Sequence, residues 1–178
     1  MSVLGSLQPM SEIVDKLNAK RTILAASLAV PVIVGLGFLM GRLSNSGFGN
    51  PWFDQLAKPA AMPPGWAFGV AWTILYIFMG LALALAVGGH NHQRRQGAFL
   101  LFVAQLALNY SWSPIFFGFQ QIELGLAVIL AVLVLASTTA IAFAKIRPLA
   151  GWLLAPYVAW LCFATYLNFE IWRLNSLA

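Results

Sequence analysis

The chain has 178 residues, of which 61% are apolar and only 8% are charged, and its formal net charge is +5. A soluble domain usually carries about 25% charged residues, so most of this chain does not face water. The basic balance does not indicate nucleic-acid binding, because the Lys and Arg residues are scattered at the ends of apolar stretches, where such residues set membrane topology.

Five stretches are each long and apolar enough to cross a hydrocarbon core of about 30 Å as a helix. Little of the chain remains outside them, so we predict an all-α, polytopic membrane protein built as a five-transmembrane-helix bundle in contact with lipid. The predicted spans are Thr22–Gly41, Gly65–Val87, Gly97–Phe119, Leu124–Ala144 and Leu149–Trp172.

The distribution of basic residues predicts an orientation. Seven Lys and Arg residues fall on the side of the N-terminus and three on the other side, which places the N-terminus in the cytoplasm if the membrane is a bacterial inner membrane. Residues 1–21 lack the short apolar core and cleavage site of a signal peptide. We therefore expect an uncleaved first span preceded by a partly disordered or interfacial tail.

The only long loop, residues 43–64, is rich in proline and aromatic residues. Asn50 followed by proline is typical of a helix start, and it predicts a short helix over Pro51–Lys58. Trp52 and Phe53 would lie on its apolar side. They would form either a lid over the bundle or part of an aromatic belt at the membrane surface, and the sequence leaves both readings open.

The second span carries Trp66, Phe68, Trp72 and Tyr76. The last three recur every four residues, so they share one helix face. Large aromatic side chains near one end and Gly80 near the other suit a tapering cavity, although plain helix packing is the commoner role of such a stripe.

The third span is the most polar. Asn109, Trp112 and Phe116 fall on one stripe, and Gln105 lies one turn before them. Amides at membrane depth face the bundle interior or a wet cavity, because lipid offers them no partner. Hydrogen bonds between helices are an alternative role that is compatible with a site. We expect Pro114 to kink this helix.

The last two spans differ in content. The fourth is aliphatic and is predicted to be a lipid-facing support. In the fifth, Trp160, Ala164 and Asn168 form a stripe at four-residue spacing, and the small middle residue leaves room beside the indole. Glu170 and Arg173 are three residues apart and are expected to form a salt bridge.

Several chemistries have no residues to support them. The spans contain no histidine for bis-histidine haem ligation, and Glu170, near a span end, is their only acid, which argues against a proton pump. The single Cys162 excludes an intrachain disulfide and a thiolate metal cluster. His90 and His92 are a weak metal candidate without further ligands nearby, so we predict no metal site. Apolar volume, indoles and buried amides instead suit a large, flat ligand with polar edges.

Three segments carry motifs of a known family: KPAAMPPGWAFGVAWTILY, LNYSWSPIFFG and PYVAWLCFATYLNFEIWRLN. In order and spacing they resemble the TspO/MBR family of tryptophan-rich sensory and translocator proteins, also called peripheral-type benzodiazepine receptors, over most of 52–175. Residues 1–21 fall outside the resemblance, and 22–178 form the predicted membrane domain. The resemblance implies a five-helix bundle, often dimeric, that binds protoporphyrin IX or haem as a ligand without an obligatory cofactor. It also implies an association with sterols and benzodiazepine-type drugs.

The resemblance also implies site residues. Ligand contacts are expected from two loop residues and from single positions of the second, third and fifth spans: Trp52, Phe53, Trp72, Asn109, Trp112, Trp160, Ala164 and Asn168. In some bacterial members, the tryptophans matching Trp72 and Trp160 are implicated in light- and oxygen-dependent porphyrin breakdown. These two residues are therefore the candidates for catalysis, although the sequence offers no general acid or base.

Two positions depart from the family pattern. Ala61 stands where bacterial members often have a tryptophan between the KP and PP pairs. Either one stacking wall for the porphyrin is missing, or Trp66 supplies it. Phe169 stands where the sterol motif needs tyrosine before Arg173, which makes sterol binding a weaker expectation.

The functional prediction is a membrane tetrapyrrole-binding protein that acts as a sensor, carrier or regulator of porphyrin levels. Its alternatives are a porphyrin-degrading enzyme and a transporter or scaffold for sterol-like or drug-like ligands. We also expect a homodimer whose seam is formed by small residues of the third span that let helices approach closely: Gly97, Ala104 and Ala107.

Overall fold

The computed structural model describes residues 4–89 and 92–176, and within these ranges every regular element is helical. The described elements are α1 Leu4–Leu43, α2 Pro51–Gln55, α3 Gly65–Val87, α4 His92–Ser113, a π-helical turn Pro114–Gly118, α5 Ile122–Ala144, α6 Pro148–Trp152 and α7 Ala155–Asn175.

Five described segments are long and apolar enough to cross a membrane: Glu12–Leu43, Gly65–Val87, Arg95–Gly118, Ile122–Ala144 and Pro148–Asn175. The predicted all-α bundle with five transmembrane helices is therefore confirmed. The end of the bundle that carries residues 43–64 is called the loop end below.

The first helix is longer than predicted. It begins at Leu4 and not at Thr22, so the tail expected to be partly disordered or interfacial is helical over residues 4–21. Its 40 residues correspond to about 60 Å of helix, roughly twice the hydrocarbon core. Lys, Arg and Glu have good helix propensity, so the charges before Thr22 end the apolar run without ending the helix.

Helices α1 and α3 touch at the end of the bundle opposite the loop end. A Cβ added at Gly80 of α3 would lie 2.7 Å from Cγ2 and 2.8 Å from Cα of Val30, and one added at Gly88 would overlap the Thr22 hydroxyl. Glycine is therefore needed at both positions for the close approach of the two backbones.

The same two helices diverge toward the loop end. At Gly37 of α1, an added Cβ would overlap the ring of Tyr76, so here a side chain fills the space between the helices. At Gly41 of α1 and Gly69 of α3, an added Cβ would meet no atom within 4 Å. The pair therefore forms a wedge that is closed at Gly80 and open at Gly41 and Gly69.

The predicted kink at Pro114 takes the form of a π-helical turn. Proline has no N–H to donate, which interrupts the α-helical ladder. The N–H of Phe119 donates to the carbonyl of Pro114 at 2.8 Å, five residues back, as expected of a π turn. The turn carries Phe116 and Phe117, and both rings are buried.

The prediction that the fourth span is a lipid-facing support describes only one face of the helix, on which Leu130, Val134 and Ile141 are exposed. Helix α5 packs against both α4 and α7. Its buried residues are Gly125, Val128, Ile129, Val132, Ala136, Thr139 and Phe143. Lipid tails are as apolar as a bundle core, so an aliphatic helix shows no contrast that marks its buried face.

The bundle is densely filled away from the loop end. Met79, Phe102 and Leu154 are each no more than 1% exposed, and the Phe102 and Phe143 rings stack with centroids 5.6 Å apart. A cavity lined by all five spans lies at the loop end, where α1 and α3 diverge. A second pocket, of about 540 Å³, lies at the opposite end beside Thr22 and Gly88.

Candidate ligand cavity

A cavity of about 560 Å³ lies inside the loop end of the bundle. Its volume falls within the roughly 300–1,000 Å³ typical of small-molecule sites. All five spanning segments and the loop contribute to its wall. Aromatic rings dominate the lining: Phe38, Phe48, Phe53, Phe68, Trp72, Tyr76, Trp112, Phe116 and Phe117.

The predicted stripe of α3 faces this cavity. Phe68, Trp72 and Tyr76 all line it, and the Trp72 ring lies 5.3 Å from that of Tyr76, centroid to centroid. Trp66 does not line the cavity and is 72% exposed. Trp66 precedes Phe68 by two residues, so its side chain is rotated by about 200° from that of Phe68 around the helix axis. Trp66 therefore does not supply the missing stacking wall of the cavity.

Two amides join the helices and also line the cavity. The Tyr76 hydroxyl donates to Oδ1 of Asn109 at 3.2 Å, and Nε1 of Trp112 donates to Oδ1 of Asn168 at 3.1 Å. Nδ2 of Asn168 in turn donates to the carbonyl of Ile122 at 3.2 Å. Asn109 and Asn168 therefore each bond to a neighbouring helix and also line the cavity.

Gln105 lies outside the cavity lining. Its Oε1 accepts a hydrogen bond from the Tyr157 hydroxyl at 2.9 Å, and its side chain is buried in the bundle. Of the amides predicted on the third span, Asn109 lines the cavity and Gln105 does not.

Only part of the predicted stripe on α7 lines the cavity. Ala164 and Asn168 line the cavity, but Trp160 does not. The Trp160 ring packs edge-on against Phe68 with centroids 5.9 Å apart. Its Nε1 is buried and has no hydrogen-bond partner among the described residues. Trp160 therefore supports the wall formed by Phe68 and does not form that wall itself.

The loop lies over the cavity through α2. Oδ1 of Asn50 accepts hydrogen bonds from the backbone N–H groups of Trp52 at 3.0 Å and Phe53 at 3.1 Å, as predicted for an N-cap. Phe53 is 4% exposed and lines the cavity. Trp52 is half-buried outside the lining and packs edge-on against Phe116 at 5.6 Å. Phe53 thus closes the cavity, and Trp52 anchors α2.

Lys58 holds the loop in place just after α2, which ends at Gln55 and not at the predicted residue 58. Its Nζ donates hydrogen bonds to the backbone carbonyls of Phe53 (2.7 Å), Leu56 (3.1 Å) and Asp54 (3.2 Å).

Asn175, at the end of α7, bonds to both backbone groups of Ala57. Its Oδ1 accepts from the N–H at 3.0 Å and its Nδ2 donates to the carbonyl at 3.0 Å. This pair of hydrogen bonds fastens the loop to the last helix.

Several lining residues were not predicted. Ile129 and Val132 of α5 lie in the wall, but an aliphatic residue in an aliphatic helix gives no signal of such a role. Arg42 is the only Lys or Arg among the residues of the described chain that line the cavity. In the sequence, Arg42 is distinguished only as a lone cation at the end of the first span.

The remaining predictions concern residues outside the cavity. The salt bridge between Glu170 and Arg173 is confirmed, with a 2.7 Å contact. Ala61 and Phe169 are exposed and do not line the cavity. His90 lies outside the described residues, and the described part of the chain has no cluster of three or more potential metal-ligating side chains.

The fold and the cavity together define a polytopic helical membrane protein with a cavity rich in aromatic residues inside its bundle. Comparison with known proteins gives its family. The model of the TspO/MBR family matches residues 27–173, and the chain belongs to this family. The match begins after Thr22, so the N-terminal tail lies outside it.

Relatives from three organisms show the extent of the similarity. The chain is 38% identical over 156 residues to the tryptophan-rich protein TspO of Chlorobaculum tepidum, which covers 87% of this chain and 98% of that protein. It is 40% identical over 143 residues to the translocator protein of Homo sapiens, covering 79% and 84%. It is 42% identical over 126 residues to the tryptophan-rich sensory protein of Cereibacter sphaeroides, covering 71% and 78%.

Proposed function

We propose that this protein is a membrane receptor for a tetrapyrrole such as protoporphyrin IX or haem, and that it senses, carries or regulates porphyrin. The observation that carries this proposal is the cavity of about 560 Å³ whose wall combines many aromatic rings with two amides. A flat macrocycle offers faces that stack on such rings and polar edges that amides can bond. The chain belongs to the TspO/MBR family, and the porphyrin ligands that the family resemblance implies are of the same class.

The names of the relatives bear on the role of the site. Proteins called translocator protein and tryptophan-rich sensory protein support a role in moving or sensing the ligand. Sterol-like and drug-like molecules are the alternative ligands for an apolar cavity. If the membrane is a bacterial inner membrane, the excess of basic residues on the N-terminal side supports an N-terminus in the cytoplasm.

A pair of tryptophans on α3 gives a matched test of the ligand site. Trp72→Phe removes an indole that lines the cavity, and Trp66→Phe removes one that does not. A whole aromatic pair contributes about 0.5–1.5 kcal/mol beyond burial. Trp72→Phe keeps a ring but has a smaller stacking face, so it should weaken protoporphyrin IX binding by at most roughly two- to tenfold. Trp66→Phe should leave the affinity unchanged. Titration of the porphyrin while following tryptophan quenching measures both, and equal affinities in all three proteins would remove Trp72 from the site.

The same complexes separate binding from breakdown of the porphyrin. Trp72 faces the cavity, next to Tyr76 and 6.3 Å from the Tyr157 ring, which favours Trp72 over Trp160 as the indole able to react with a bound porphyrin. Photo-oxidative turnover would bleach the porphyrin spectrum only when light and oxygen are both present. An unchanged spectrum under these conditions would leave a receptor without enzymatic activity.

We also propose a homodimer through α4. Gly97, Ala104 and Ala107 are exposed, and Leu100 on the same face is 60% exposed. In a Cys162→Ser background, Ala104→Cys should crosslink in native membranes because small residues allow close helix approach. Val134→Cys, on the exposed side of α5, is the control and should stay monomeric. Failure of Ala104→Cys to crosslink would exclude this seam.

A further inference from the structure

The cavity opens sideways between α1 and α3, at the wide end of the wedge. Gly41 and Gly69, one on each helix, both line the cavity, and neither faces another atom within 4 Å of an added Cβ. Phe38 and Val70 are each 51% exposed on these helices, as suits a surface in contact with lipid. The opening is therefore flanked by apolar side chains at the loop end of a membrane-spanning bundle.

One cation lies at this opening. Arg42 follows Gly41, is exposed, and also lines the cavity. The ion pairs among the described residues are Lys16–Glu12 and Arg173–Glu170. No carboxylate oxygen in the described part of the chain therefore lies within 4.0 Å of the Arg42 guanidinium. Lys58, the other cation of the loop region, already donates to three backbone carbonyls. The guanidinium of Arg42 is thus available to an anion.

The rest of the cavity wall carries no opposing charge. Its described lining residues include no Asp, Glu, Lys or His. A planar guanidinium presents paired N–H donors that match a carboxylate, and such charge-assisted hydrogen bonds are stronger than neutral ones. An anionic group held at Arg42 would therefore lie beside an uncharged, aromatic interior.

We propose that Arg42 binds a carboxylate of the ligand at the opening between α1 and α3, while the ring system lies inside among Phe68, Trp72 and Tyr76. This inference rests on the proposed function and narrows it to carboxylate-bearing tetrapyrroles over neutral ones. Gly37, which packs on Tyr76, is five residues before Arg42, or about 7–8 Å along the helix. That spacing suits a carboxylate on a short side chain attached to a buried ring.

The test compares a diacid with its neutral ester on the full chain in phosphatidylcholine nanodiscs. Protoporphyrin IX and its dimethyl ester are titrated against the wild type, Arg42→Gln, Arg42→Lys and Arg173→Gln. Arg173 is a matched control because it is a cation at the same end of the bundle that does not line the cavity. The wild type should bind the diacid roughly 10- to 100-fold more tightly than the ester.

The variants give the decisive pattern. Arg42→Gln should bring the affinity for the diacid down to that for the ester and leave the ester unchanged, and Arg42→Lys should retain part of the preference. Arg173→Gln should behave as the wild type. Equal weakening of both ligands by Arg42→Gln, or no weakening of either, would overturn the role of Arg42 while leaving the tetrapyrrole receptor intact.

Two further outcomes are distinguishable from these. If Arg42 serves a lipid phosphate instead, Arg42→Gln will reduce the phosphatidylglycerol that copurifies and leave the ratio of diacid to ester affinity unchanged, which overturns the inference. If the wild type binds neither porphyrin, the proposed function itself fails, and the inference fails with it.

Discussion

Replacing Ala164 with phenylalanine should weaken protoporphyrin IX binding by roughly 5- to 150-fold while the protein stays folded. Ala164 is half-buried on α7 and lines the cavity, so a phenyl ring at this position enters space that the ligand needs. Forcing such a ring aside in a packed site costs about 1–3 kcal/mol, which corresponds to that loss of affinity. Without ligand, the ring occupies existing free volume.

A second alanine on the same helix provides the control. Ala159 is exposed and does not line the cavity, so Ala159→Phe adds the same ring without reaching the ligand. Porphyrin titration followed by absorbance measures binding, and thermal unfolding in detergent verifies that both variants are folded. Unchanged affinity in a folded Ala164→Phe variant would show that the ligand does not occupy this cavity.

Gly80→Ala should destabilise the bundle by about 1–3 kcal/mol, because its new methyl group meets the backbone of the neighbouring helix. The added Cβ would lie 2.8 Å from Cα and 3.0 Å from N of Val30. These backbone atoms cannot rotate away as a side chain does, so α1 and α3 must separate along their closest contact. Thermal unfolding followed by circular dichroism in detergent should show a lower midpoint than the wild type.

The same substitution three turns earlier on the same helix face should have the opposite sign. Gly69 lies on the same helix, and a Cβ there meets nothing within 4 Å. Gly69→Ala should therefore be neutral or stabilising by up to about 1 kcal/mol, since alanine has the higher helix propensity. A Gly80→Ala variant that melts at or above the wild-type midpoint would contradict the close helix contact.

Local features of the fold were predictable from the sequence. The bounds Gly65–Val87 of α3 are as predicted, because Pro64 precedes an apolar run that no charge interrupts. The stripe of Phe68, Trp72 and Tyr76 follows from helical spacing, which is a property of neighbouring residues. The N-cap at Asn50 was predictable for the same reason.

The errors concern the way helices are rotated against each other. Ile129 and Val132 line the cavity, but nothing in an aliphatic helix distinguishes its buried face from its lipid-facing one. Trp160 lies behind Phe68, and this depends on how α7 meets α3. Trp66 differs, since its angular offset from Phe68 follows from helix geometry alone and already separates it from the stripe.

The contact between Gly80 and Val30 also provides a pivot for the two helices. Eleven residues separate Val30 from Gly41 along α1, which corresponds to a lever arm of about 16 Å. Turning α1 by about 5° around this pivot would displace Gly41 by about 1.4 Å, with little movement at Gly80. The same turn would move Thr22, about 12 Å away on the other side of the pivot, by about 1 Å. The width of the opening at the loop end is therefore linked to the packing of Thr22 against Gly88 at the opposite end.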